Sequence, residues 1–148
     1  MNTKEEIVNC LENFFNKKAQ QYGLEMVFLY GSWARGFPKE DSDVDIAIVF
    51  TKENGADDEL FCYLNDISLS LSRQLGREVN SIAIQSDFNK PMLYYNAIVL
   101  GIPVFIKDSD KYICLRNEAV FQMEDFYLFG IDWQVRTTRK NLEELKHG

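Results

Sequence analysis

Residues 30–50 read YGSWARGFPKEDSDVDIAIVF, and this stretch decides how the rest of the chain is understood. Gly31-Ser32 follows the apolar run EMVFLY (25–30), and ten residues separate Ser32 from the triplet Asp43-Val44-Asp45, which opens a second apolar run. Side chains two apart on a strand share a face, so Asp43 and Asp45 project together while Val44, Ile46 and Ile48 point the other way. Two carboxylates so placed repel each other unless a cation or protons intervene. Hard divalent cations such as Mg²⁺ take oxygen ligands, often one or two carboxylates plus substrate phosphates. A glycine after a strand permits close backbone approach, and a serine opening a helical turn offers N–H and hydroxyl donors to phosphate. An isolated D-x-D or Gly-Ser carries little meaning. Together, each on its own strand, they describe a seat for a metal-bound nucleoside triphosphate.

Outward from this stretch, the pattern alternates between the helical and strand periods. Thr3 and Glu6 form a capping box, and Ile7, Leu11, Phe14, Phe15 and Ala19 recur at helical spacing up to the stop at Gly23. Strands are expected at 25–30 and 43–50, joined by a polar turn with Gly36 and Pro38. After a loop with Gly55, a helix carries Leu60, Leu64, Ile67, Leu71 and Leu75 on one stripe and ends at Gly76. EVNSIAI (78–84) reads as a third strand. Asn89-Lys90-Pro91 starts a helix running to about Leu100, and GIPVFI returns as a short strand. From Ser109 the chain reads as helical, with an interruption expected near Gly130. The fold class is α/β (α+β), a small mixed sheet under helices, in one domain over 1–148 with a core at 1–107 and a helical extension at 108–148.

Composition limits the function classes. The 148 residues can bury about 70 % of the unfolded surface, and 46 % hydrophobic and 14 % aromatic content supports a folded core. A net charge of −7 argues against broad nucleic-acid binding and fits a small-molecule enzyme or a module meeting a basic partner. No apolar run reaches the roughly 18 residues of a membrane span, and the acidic N-terminus MNTKEEIVNCLENFF does not read as a secretory signal. Cys10, Cys62 and Cys114 are odd in number and far apart, as expected of small core residues in a reducing cytoplasm. Tyr30 is expected to pack against the first helix. His147, Lys17-Lys18 and Arg139-Lys140 read as solvated.

The stretch GSWARGFPKEDSDVDIAIVF resembles the GS-x₁₀-D-x-D signature of the polymerase β-like nucleotidyltransferase superfamily, and most closely its minimal nucleotidyltransferase (MNT) branch. The similarity is specific over 26–50 and extends more loosely to about residue 107, where YNAIVLGIPVF resembles the family's ending. The resemblance implies that Gly31 and Ser32 hold the triphosphate of ATP and that Asp43 and Asp45 ligate Mg²⁺ in a two-ion site. Arg35 stands where the family has its arginine, expected to tie the turn to Asp41 or Asp43, with phosphate contact the sharper alternative. One departure stands out. Where the family carries a third carboxylate this chain has Asn80, which offers an oxygen but no charge and accepts no proton. Glu78 shares its face about 6.6 Å away along the strand, so an ion that activates the acceptor would be weakly held.

Stand-alone MNT chains of this size resemble the MntA-type antitoxins of HEPN/MNT toxin–antitoxin pairs. That resemblance implies a helical HEPN toxin as partner and transfer of AMP from ATP to a tyrosine on it. Two alternatives stay open: an MNT-like chain that restrains its partner by contact alone, and a small-molecule transferase of the aminoglycoside type, for which a homodimer would complete the pocket. The segment VFQMEDFYLFGIDWQVRTTRKNLEEL holds Phe121, Phe126, Tyr127, Phe129 and Trp133. It is expected to cover the sheet with its aromatics largely in the core, some reaching a partner.

Overall fold

The computed structural model describes residues 3–36, 42–51 and 57–147. Pro38, Asp41 and Gly55 lie outside the described residues, as does the side chain of His147. In chain order the elements are α1 (Lys4–Tyr22), β1 (Leu24–Tyr30), α2 (Ser32–Arg35), β2 (Val44–Phe50), α3 (Asp57–Leu75), β3 (Val79–Ala83), α4 (Pro91–Ile98), β4 (Ile102–Ile106) and α5 (Ser109–His147).

The four strands form one mixed sheet in the order β3-β2-β1-β4. β1 lies antiparallel to both β2 and β4, while β2 and β3 run parallel, joined through α3. Strand alternation sorts the side chains into two cores. On one face Val27 and Leu29 of β1 and Val44, Ile46 and Ile48 of β2 pack with Ile7, Leu11 and Phe15 of α1 and Ile67 and Leu71 of α3. On the other, Met26, Phe28 and Ala47 pack with Tyr94, Ala97 and Ile98 of α4 and Ala119 of α5. The stripes read from the sequence of α1 and α3 are therefore the buried stripes. The Thr3 hydroxyl accepts from the Glu6 N–H at 3.2 Å, as a capping residue should.

Polar ties fix α3 over the parallel pair. The Ser81 hydroxyl donates to the Leu64 carbonyl at 3.0 Å and sits 2.7 Å from the Ser68 hydroxyl, and the Val79 N–H donates to Ser72 Oγ. These contacts set where β3 lies against β2. Gly101, between α4 and β4, has no room for a side chain, since an added Cβ would fall on the Ala97 carbonyl oxygen and 2.7 Å from that of Leu29.

Three expectations fail here. Tyr30 packs with the α4 core instead of α1, because its position in β1 matches Met26 and Phe28 rather than Val27 and Leu29. Cys62 and Cys114 are exposed and only Cys10 is partly buried, all three with free thiols; Cys62 falls off the Leu60–Leu75 stripe of α3. The last helix is not interrupted at Gly130: α5 runs unbroken for 39 residues. A single glycine costs a helix only about 1 kcal/mol relative to alanine, too little to end it.

Nor do the aromatics of α5 enter the core. The helix is held at its base, where Tyr112 stacks on Phe28 with ring centroids 5.9 Å apart and Lys111 pairs with Glu25 at 2.6 Å. Ala119 is its last buried residue among those described; Phe121, Phe126, Tyr127, Phe129 and Trp133 are all exposed. The four-stranded sheet is simply shorter than a 39-residue helix, which spans about 58 Å at the usual rise. Since an added Cβ at Gly130 would meet nothing within 4 Å, Gly130→Ala should stabilise α5 by up to about 1 kcal/mol, read as a gain in far-ultraviolet circular dichroism and in the thermal midpoint. A loss of helicity would show that the glycine is needed for the helix path.

Candidate active site

Gly31 links the two halves of the opening motif physically. It adopts φ +77°, ψ −153°, a region open essentially to glycine, and an added Cβ would lie 2.6 Å from Asp45 Oδ2. The turn and the carboxylate are thus packed against each other, with the antiparallel register placing Tyr30 opposite Asp45. α2 begins at Ser32, whose N–H and hydroxyl stand at the first turn, where amides have no intrahelical acceptor.

Asp43 and Asp45 project from the α4 side of the sheet at its β1–β2–β3 end, as the alternation required. Asp43 is exposed and precedes β2, while Asp45 is partly buried within it. The parallel register sets Asp45 directly opposite Asn80. Asn80 therefore stands directly across from Asp45 on the neighbouring strand. Its Nδ2 donates to Asp43 Oδ2 at 3.2 Å and makes a longer contact of 3.5 Å to Asp45 Oδ1. The amide bridges the two acids. Glu78 is exposed just ahead of β3, its carbonyl accepting from the Val44 N–H at 2.9 Å. Arg35 is exposed at the end of α2 and forms no ion pair among the described residues, so the expected tie to Asp43 is not made, and Asp41 lies outside them.

The electrostatics follow from this packing. Burial holds the Asp45 carboxyl above its ordinary range; the Asn80 N–H pulls it back and the Asp43 charge pushes it up again. Burial, and then the charge of Asp45, pushes the Tyr30 phenol up to about 12. Both shifts mark a place that disfavours further negative charge and would welcome a cation.

Reasoning from sequence missed Trp33. Its ring is buried in the core shared with α1 and α3, its indole N–H donates to the Ser42 carbonyl at 3.1 Å, and the Arg77 guanidinium lies 4.8 Å from the ring centroid. Trp33 thereby fastens the Gly31–Arg35 turn to the residue before Asp43. The available signal was a large aromatic inside an otherwise polar turn.

The donor set fits a metal in part. Among the described residues no group of three or more His, Cys, Asp or Glu side chains converges. The site offers two carboxylates and one amide, and half a turn of the Asn80 amide would present Oδ1 in place of Nδ2. That set suits one Mg²⁺ completed by phosphate oxygens and water better than two ions held by protein. A cavity of about 680 Å³ beside Tyr22, Phe50 and Tyr63 lies at the opposite end of β1 and β2 from the two acids.

Fold and site together define a nucleotidyltransferase-type chain. The family model described as "Polymerase beta, Nucleotidyltransferase" matches residues 9–110, and the chain belongs to that family. No curated protein matches it in sequence. A chain of the crystal structure of a toxin–antitoxin with AMP-PNP is similar at TM-score 0.62 and 19 % identity, covering 84 % of this chain and 98 % of that one. One from the toxin–antitoxin MntA–HepT gives 0.59 and 16 %, covering 86 % and 98 %. One from a tri-AMPylated Shewanella oneidensis HEPN toxin in complex with MNT antitoxin gives 0.57 and 15 %, covering 87 % and 98 %. These likenesses establish a shared fold. Among the described residues no helix is long and apolar enough to cross a membrane.

An acid whose folded-state pKa is raised is favoured by the fold in its protonated form. Its stabilising contribution is present below the unfolded value and is lost as pH rises through the folded one. At neutral pH the ionised Asp45 therefore costs stability. Asp45→Asn should raise the thermal midpoint at neutral pH, the gain shrinking as the buffer is taken below about pH 4. A variant no more stable than the wild type at neutral pH would contradict this account.

Proposed function

We propose that this chain transfers AMP from ATP to a hydroxyl, that the acceptor is a tyrosine of a helical HEPN-type toxin, and that it thereby serves as the antitoxin of the pair. The observation that carries the reading is the juxtaposition of Asp43 and Asp45 with the Gly31-Ser32 turn, in a chain of nucleotidyltransferase family and fold. The complexes of the similar structures support the choice of nucleotide and partner: one holds AMP-PNP, another an AMPylated HEPN toxin.

In this reading Gly31 lets the triphosphate lie against bare backbone, Ser32 donates its N–H and hydroxyl, and the exposed Arg35 meets phosphate from the end of α2. Asp43 and Asp45, with Asn80 turned to present its oxygen, hold Mg²⁺, which when bound supplies positive charge to the phosphates and the departing pyrophosphate. Tyr30 and Gly31 wall Asp45 off from water and so strengthen its hold on a cation. The acceptor's proton needs a base. Asn80 cannot take it, which leaves Glu78, two residues earlier on the same face, or a group on the acceptor itself.

A second reading follows from the Asn80 bridge. An amide N–H that satisfies both carboxylates lets the fold keep its acids together without a cation, as a chain that restrains its partner by binding alone would require. Incubating the protein with ATP, Mg²⁺ and the helical protein encoded beside it, read by mass spectrometry, separates the two. An added AMP on a partner tyrosine is the expected result, whereas a stable complex without added mass leaves only the binding role. Asp43→Asn combined with Asp45→Asn should abolish transfer with the fold intact by circular dichroism; unchanged transfer refutes the assignment. Asn80→Asp should raise the rate several-fold, with a stronger dependence on Mg²⁺. An unaltered rate would place the base at Glu78 or on the acceptor.

A further inference from the structure

The distal part of α5 carries a pattern that the nucleotide site does not use. Leu128, Ile131, Val135, Thr138, Leu142 and Leu145 follow one another at alternating steps of three and four residues, the seam of a two-stranded coiled coil. The five apolar members are between 41 % and 78 % exposed. Thr138, the polar member, returns its hydroxyl to the Gln134 carbonyl at 2.9 Å, so it can enter an apolar seam without an unmet donor. Asp132 and Arg139, each just after an inner seam position (Ile131 and Thr138), stand at its edge. The opposite edge carries Tyr127, Gln134 and Asn141, which are uncharged.

We infer that this seam pairs with the same seam of a second copy of the chain, antiparallel, so that Leu128 lies level with Leu145, Ile131 with Leu142 and Val135 with Thr138 of the other copy. The charges choose both the partner and the register. In an antiparallel pair like edges face each other, so Asp132 meets Arg139 of the second copy, a contact that occurs twice about the two-fold axis. Sliding the helices by one heptad in either direction opposes Asp132 to itself or Arg139 to itself. A parallel pair would set the charged edge against the uncharged one and gain nothing. It would also crowd the two folded bodies, both attached at the N-terminal end of α5, side by side. Asp132 already pairs with Arg136 at 3.1 Å within its own helix, but both side chains are exposed and such a contact is weak enough to be shared.

This inference does not depend on nucleotide transfer, and its test needs no nucleotide. Sedimentation velocity over a concentration series should show the full chain in reversible monomer–dimer exchange. Asp132→Arg and Arg139→Asp should each weaken the dimer by at least about tenfold, because each makes its edges repel in the self-pair. An equimolar mixture of the two variants should dimerise again, since each then offers the charge the other needs. Lys17→Glu, on the exposed face of α1, should change nothing. A wild type that stays monomeric at the highest concentration, single variants that dimerise as well as wild type, or a mixture that behaves as two separate monomers would each overturn the inference.

Discussion

The constraint on which this molecule turns is the forced proximity of Asp45 to neighbours that do not neutralise it. Gly31 packs against its carboxylate so closely that a methyl group would not fit, Tyr30 lies opposite, and Asp43 adds a like charge. Burying a carboxylate beside another one is unfavourable, and among the described residues the amide of Asn80 offsets it. Two acids at the rim of an otherwise apolar strand tie the architecture to the candidate site.

The elements around the pair serve to hold it at fixed geometry. The strand β2 is clamped between an antiparallel and a parallel neighbour, so its register cannot slip without moving every buried isoleucine to the wrong face. Trp33 and its bond to Ser42 secure the turn from the other side. Ser68 and Ser72 of α3 seat β3 and with it Asn80. Rigid neighbours of this kind keep a binding constellation in place at little entropic expense when a ligand arrives.

Asn80 and α5 bear on function from different directions. The amide leaves the site one negative charge short of a three-carboxylate arrangement, and it accepts no proton. The long helix does the opposite of what its aromatic content suggested: it carries large apolar side chains away from the sheet into solvent. A segment such as FYLFGIDWQV, apolar on nearly all sides, is the kind that an assembly buries.

The sequence by itself determined the helices and strands, the two-faced pattern of β2, and the pairing of a Gly-Ser turn with two acids, because periods of 3.6 and 2 and the residue types at turns are local properties. Its resemblance to the family also marked Asn80 as a departure from the expected carboxylate. What only the tertiary structure decided was that Asn80 lies opposite Asp45, that Tyr30 belongs to the α4 core, that Trp33 bonds to Ser42, and that the aromatics of α5 lie in solvent beyond the sheet. Each depends on strand register, on which face a neighbouring helix covers, or on how far the sheet extends. Those quantities are set by contacts between residues distant in the chain, and no local pattern encodes them.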